Sequence, residues 1–288
     1  MTSQIKTVLL LGLLTSLMLL MGRALGGQTG LLIAIVFALV MNVGSYWFSD
    51  RIVLKMYHAQ EVSPHDAPAL HHMVEELSAK AGIPKPRIYV IPEEAPNAFA
   101  TGRNPKHGVV AVTEGIMRLL SPAELRGVIA HEIGHIKNRD ILVQSIAGVI
   151  GGVIVSVANM LQWGAIFGLG GGRDEEESGG GGGLASSLLM AFLAPIAAML
   201  VQMAISRSRE YLADDTGAQL AGDPKALARA LEKLGMWSGR IPMHSGNQAT
   251  AHMFIVTPFS GSTFSSLFST HPPLEERIAR LEAMPSNA

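Results

Sequence analysis

The chain has 288 residues, 22 basic and 23 acidic side chains for a formal net charge of −1, and no cysteine. Near-neutral charge without a basic stripe argues against nucleic acid as a partner, and the missing thiols exclude disulfides, cysteine nucleophiles and thiolate metal sites, so a metal must be held by His, Asp or Glu. Apolar residues make up 48% and charged residues only 16%, against about a quarter charged in ordinary soluble domains, and this balance points to a bilayer.

Four apolar stretches carry that hydrophobicity. They are residues 7–22 "TVLLLGLLTSLMLLMG", residues 30–48 ending in the aromatic pair Trp47–Phe48, residues 141–167, and residues 184–205 with a kink predicted at Pro195. Each approaches or exceeds the roughly 18–20 residues that span a bilayer. The first lacks a small-residue cleavage site and is followed at once by a second apolar segment, so it reads as an uncleaved anchor. Lys6, Arg51, Lys55, Lys137, Arg139, Arg207 and Arg209 flank the spans on one side, and only Arg23 and Arg173 lie in the short turns on the other. The excess of positive charge places both termini and both large polar blocks in the cytoplasm. The turn "GGRDEEESGGGGG" reads as an exposed linker. The expected organisation is two N-terminal transmembrane helices (1–48), a first cytoplasmic part (49–140), a transmembrane hairpin (141–205) and a second cytoplasmic part (206–288), with the hairpin's ends bringing the two parts together.

Within the first part, Leu70, Met73, Val74 and Leu77 recur at helical spacing over residues 67–82, closed by Gly82. "PRIYVIP" alternates and reads as a strand. "NAFATG", residues 97–102, reads as a turn-rich piece, residues 107–113 as a second strand, and residues 114–120 as a short helix. The run 108–112 reads as an edge strand on which an extended polypeptide can pair, or simply as a core strand, since a short apolar run can be either. Ser121, Pro122 and Glu124 then announce a helix start, with a cap, a proline at the first turn and an acid three residues after the cap.

That helix carries "HEIGH". His131 and His135 stand one turn apart on one face, a spacing that lets two imidazoles converge on one ion while Glu132 works on an activated water. The bland alternative is an ordinary helix with histidines near a membrane surface. Two histidines leave a catalytic zinc one protein ligand short of three. Glu210, Asp214, Asp215, Asp223, Glu232, His244, His252 and His271 are the donors available in the second part. Glu210 and Asp214 share a helix face in "SRSREYLADDTGAQLAG", an arrangement that suits one carboxylate on the metal and another orienting an imidazole, or simply a solvated face. His58, His65, His71 and His72 read as solvent-facing, and residues 235–256 as a loop in which His244 and His252 have no paired spacing. "PLEERIARLEAM" reads as a helix turning Leu274, Ile278 and Leu281 inward.

"HEIGH", "EYLAD", the upstream "NAFATG" and the later "STHPPLEERIARL" occur in order and together resemble the M48 metallopeptidases, nearest their HtpX-type membrane branch, over almost the whole chain. The resemblance implies an α+β, mostly helical, zincin-like (gluzincin) domain combined with four transmembrane helices. It also implies one Zn2+ held by His131, His135 and Glu210, with Asp214 behind the ligands, Glu132 as the catalytic base, and a wall near Asn97. His271 is open to three roles: contact with the developing oxyanion, gating of the metal, or merely the start of a helix. The expected activity is a zinc endopeptidase of a bacterial inner membrane that cuts misfolded or damaged membrane proteins in stress-related quality control. Its partners are then polypeptides and the lipid bilayer. The competing class is a membrane zinc-binding scaffold or sensor that does not turn over.

Overall fold

The computed structural model describes residues 3–147, 207–238, 240, 253–256 and 272–285. Most of the expected third span, all of the fourth and the acidic linker lie outside the described residues, as do His244, His252 and His271.

Helix α1 is written by a proline-free run of Leu, Met, Ala and Gly and extends over Ser3–Met56. It is not straight. Gly27 has φ +58°, and Asn42 Nδ2 donates to Thr15 Oγ1 at 2.7 Å, although a straight helix would separate residues 27 apart by about 40 Å. The chain therefore doubles back near Gly27 into two antiparallel arms. Ala34, Ala38 and Asn42 succeed one another at one-turn spacing; the two alanines are buried and Asn42 reaches the first arm, the small-residue packing that lets apolar helices approach closely. Leu32, Ile33, Val36, Leu39 and Val40 on the other faces are each more than 60% exposed. Among the described residues one segment, Gly27–Gly44, is long and apolar enough to cross a membrane.

The C-terminal end of α1 roots the hairpin in the rest of the protein. Val53, Leu54 and Tyr57 pack with Ile91, Phe99, Val109, Ala111, Met253 and Phe254, and the Tyr57 ring lies 5.3 Å from that of Phe99 and 5.5 Å from that of Phe254. These residues cover one face of a small sheet built from β1 (Gln60–Glu61), β2 (Arg87–Ile91), β3 (Ala98–Thr101) and β4 (Val109–Thr113), in the order β1-β2-β4-β3. Strand β4 runs parallel to β2 and antiparallel to β3. Both faces are buried: Val109 and Ala111 face the α1 root, while Val110 and Val112 face the main core, which is why β4 is a continuous apolar run rather than an alternating one.

Two expectations are corrected here. Residues 108–112 do not form an edge, because β4 lies between β2 and β3. "NAFATG" holds strand β3 rather than a turn, and β3, with β1 on the far side, is an edge of the sheet.

Helices close the other face. They are α2 (Pro68–Ala81), α3 (Glu114–Leu119), α4 (Pro122–Lys137), α5 (Arg207–Ala221), α6 (Pro224–Trp237) and α7 (Leu274–Glu282). The expected start of α4 is present as a full capping box: Glu124 N donates to Ser121 Oγ, and Ser121 N donates to Glu124 Oε2 at 2.8 Å. Helix α6, not anticipated, opens on Asp223, which accepts from Ala226 N at 3.1 Å, followed by Pro224. Helices α4 and α5 cross so closely that a Cβ at Gly217 would lie 2.8 Å from His131 N, and one at Gly134 would lie 3.2 Å from Ala213 O. Two glycines, one inside "HEIGH" and one on the partner helix, thus bring the two backbones together beside the histidines.

Candidate metal centre

Helix α4 presents His131, Glu132 and His135, and α5 presents Glu210 and Asp214; all five are at most 4% exposed. His131 Nε2 and His135 Nε2 face each other at 3.1 Å. Glu210 Oε2 lies 3.8 Å from His131 Nε2, and Glu210 Oε1 lies 3.5 Å from His135 Nε2. Each ring has a carboxylate behind it. Asp214 Oδ1 is 2.9 Å from His131 Nδ1, and Asp140 Oδ2 is 3.5 Å from His135 Nδ1. A carboxylate on Nδ1 fixes the tautomer that leaves a lone pair on Nε2.

The surrounding charges follow from burial. The Glu132 carboxyl is pushed up to about 8, first by burial and further by Glu210, against the pull of His135 and a backbone hydrogen bond from Ala100. Burial depresses His131, and Asp214 only partly offsets it. Burial also acts to depress His135, but Glu210, Asp140 and Glu132 outweigh it and hold the ring at about 9. Burial would raise Asp214, but Arg277 reverses the sign and leaves its carboxyl below the usual range.

Arg277 was missed in the sequence. It sits on α7, 1% exposed, donating from Nε and Nη2 to the two Asp214 oxygens at 2.8 and 2.7 Å and from Nη1 to Ile255 O at 3.0 Å. A chain Arg277–Asp214–His131 therefore ends at the centre. Its signal was its position: Arg277 lies on the same stripe as Leu274, Ile278 and Leu281, where a charge must find a partner. Asp140 was missed as well. It follows Arg139, whose φ of +61° turns the chain at the end of α4 so that the carboxylate returns to His135. Gln144, Met253, Phe254 and Ile255 complete the lining of the cleft.

Other candidates lie elsewhere. Asn97 is buried but folds onto the sheet, with Asn97 Oδ1 accepting from Ala98 N and Asn97 N donating to Thr113 Oγ1, both at 2.8 Å; it is not among the residues lining the cleft. Asp215 faces Arg280, Asp223 caps α6, and Glu232 is exposed. His58, His65 and His72 are exposed as expected, whereas His71 is half-buried with Nε2 3.0 Å from Val62 O.

The residues fit a metal. The two imidazole Nε2 atoms facing at 3.1 Å can share one proton or one cation. The ligand atoms of His131, His135 and Glu210 all lie within 4.8 Å of one another, and the separations of 3.1, 3.5 and 3.8 Å among them bracket the edge of about 3.3 Å expected for tetrahedral bonds of about 2.0–2.1 Å.

A His-Glu-x-x-His helix, joined by a carboxylate helix beside a small sheet, defines the class as a metal-dependent hydrolase. The chain belongs to peptidase family M48, whose family model matches residues 64–285, and the protein is accordingly a metalloprotease. It is 59% identical over 284 residues to a protein named Protease HtpX homolog from Syntrophobacter fumaroxidans, covering 99% of this chain and 100% of that one. It is 61% identical over 283 residues to the Protease HtpX homolog of Persephonella marina, covering 97% and 96%. Among solved structures it resembles the crystal structure of S. mikatae Ste24p, with a TM-score of 0.50 and 20% identity over 94% of this chain. This chain spans only 65% of that one, and the likeness concerns the fold.

Proposed function

We propose that the protein is a membrane-integrated zinc endopeptidase in which His131, His135 and Glu210 hold the metal and Glu132 is the general base. The convergence of two imidazole Nε2 atoms and one carboxylate from a second helix, all buried, carries this reading. A donor set of two nitrogens and one oxygen, without sulfur, suits zinc among the common catalytic ions. Once bound, the ion supplies Lewis acidity for the scissile carbonyl and makes water a competent nucleophile near neutral pH.

The chain's own residues do the rest. Glu132 takes the proton of the attacking water and delivers it to the departing amine nitrogen. The Glu132 carboxyl, raised to about 8 chiefly by burial, would fall toward the range in which it acts as a base once a cation were held beside it. Asp214 and Asp140 hold the imidazole rings in register, and Arg277 keeps Asp214 charged. Strand β3 runs beside the centre and holds Glu132 in place: Ala100 bonds to it through its backbone, while Ala98 N donates to Asn97 Oδ1.

The exposed apolar surface of α1 supports membrane insertion. Four spans, cytoplasmic termini and a cytoplasmic centre follow from the basic residues flanking the apolar segments, with division into residues 1–48, 49–140, 141–205 and 206–288. The bacterial plasma membrane and misfolded or damaged membrane proteins as substrates rest on the family resemblance. The test uses the full chain purified in detergent. One zinc per chain and cleavage of an unfolded polypeptide, abolished by a chelator and restored by zinc, are expected. A metal-loaded protein that cleaves nothing would leave the scaffold reading instead.

A further inference from the structure

Apart from the metal centre, the described residues form a second cleft, of about 510 Å³, where the second arm of α1 meets the sheet. Its walls come from three places in the sequence. The end of the α1 arm gives Trp47, Asp50 and Arg51; the approach to β2 gives Lys85 and Arg87; the turn before β4 gives Arg103 and Lys106. It shares no residue with the metal centre.

Five cations thus face one carboxylate. Asp50 is taken by Arg87 Nη2 at 3.0 Å, and Lys85 is held by Glu75 at 2.8 Å. Arg51, Arg103 and Lys106 have no carboxylate partner among the described residues. Arg103 is fixed over the Trp47 ring at 4.7 Å, with Nη2 2.7 Å from His107 Nε2, and Arg51 lies 5.8 Å over Phe48. Aromatic faces preorganise these guanidinium groups without neutralising them. Like charges gathered in a concave site repel one another, and an anion that enters relieves the repulsion. Guanidinium groups favour phosphate, whose oxygens match their fork of donors.

Position selects the form of that phosphate. The cleft begins three residues after the apolar segment Gly27–Gly44, in which Leu32, Ile33, Val36, Leu39 and Val40 are exposed, and Trp47 and Phe48 lie at the junction. An aromatic pair there marks the interface between hydrocarbon and headgroups. We propose that this cleft binds the phosphate of an anionic phospholipid headgroup, the acyl chains lying against the exposed faces of α1. The phosphate chemistry follows from the cations alone; the lipid source rests on the membrane placement of α1 proposed above.

The test uses the full, metal-loaded chain in neutral detergent, with Trp163→Phe and Trp237→Phe leaving Trp47 as the reporter. Dihexanoyl phosphatidylglycerol, dihexanoyl phosphatidylcholine and inorganic phosphate are titrated separately against its fluorescence. The phosphatidylglycerol should saturate the signal, with the other two at least tenfold weaker. Arg51→Gln together with Lys106→Gln should weaken phosphatidylglycerol about 25-fold, from roughly fivefold per cation, while bound metal and helical content stay unchanged. Added salt should weaken binding of the anionic lipid and leave that of the zwitterionic one alone, a check that needs no variant. Equal binding of the two lipids, no effect of salt, or no effect of the double substitution in folded protein would overturn the proposal. Inorganic phosphate binding as tightly as phosphatidylglycerol would overturn the lipid assignment. Peptidase activity enters none of these readouts, so failure here is distinct from failure of the endopeptidase reading.

Discussion

Charge is concentrated in two places in this protein, and the two obey different rules. At the candidate metal centre, His131, His135, Glu132, Glu210, Asp140, Asp214 and Arg277 are all nearly inaccessible, and signs alternate along chains of contact. In the cleft at the foot of α1, cations sit beside cations and most of them are exposed. Inside, a charge without a partner costs several kcal/mol, so each group is defined by its neighbours. Outside, solvent screens the excess and the cluster can remain unbalanced until a ligand arrives. Loss of one residue should therefore be severe and specific in the first region, and mild in the second.

The contrast is broken most directly at Glu132. Glu132→Gln should lower the hydrolysis rate by about 10²–10⁴-fold, the range of general-base loss, with metal content unchanged; a metal-loaded variant that remains active would remove Glu132 from the base role. Arg277→Ala comes next. It strands Asp214 in a buried site, and breaking a buried pair from one side costs about 3–5 kcal/mol. Denaturant unfolding should show that loss, and a change below about 1 kcal/mol would mean that Asp214 is compensated elsewhere. Asp214→Asn keeps the shape but weakens the orienting contact to His131, and zinc affinity or activity should fall about 10–100-fold. Glu210→Gln should lower zinc affinity further than Asp214→Asn; the reverse order, measured by metal titration, would exchange their roles. The smallest effect is expected in the open cleft. Asp50→Asn breaks the pair with Arg87, whose side chain is 44% exposed, and thermal unfolding should change by no more than about 1 kcal/mol. A loss as large as that at Arg277 would erase the distinction between the two regions.

The sequence made the metal centre half legible. The capping box of Ser121 and Glu124 announces α4, and "HEIGH" states its own geometry, because one-turn spacing survives any tertiary context. Glu210 and Asp214 were readable as a pair on one face, but their assignment needed the family resemblance, since an exposed face has the same pattern. Arg277 was readable only as a charge on the apolar stripe of α7, which demands a partner without naming it, and Asp140 was not readable, because it depends on the turn at Arg139, a backbone conformation that arginine rarely adopts. In the sheet, an all-apolar run such as "VVAV" does not distinguish an edge from a centre, and β3 was concealed by the turn-forming Asn97 and Gly102 at its ends. Helix α6 did carry a readable start in Asp223–Pro224 and apolar repeats at Leu227, Ala230, Leu231 and Leu234.

The glycine contact between α4 and α5 makes the candidate centre sensitive to a single added methyl group. A Cβ at Gly217 would lie 2.8 Å from His131 N and 2.9 Å from His131 Cα, and one at Gly134 would lie 3.2 Å from Ala213 O. Main chain cannot swing aside as a side-chain tip can, so Gly217→Ala would push α5 off α4 and carry Glu210 away from the two imidazoles. The spacing of the three donors thus depends on the two residues that have no side chain at all.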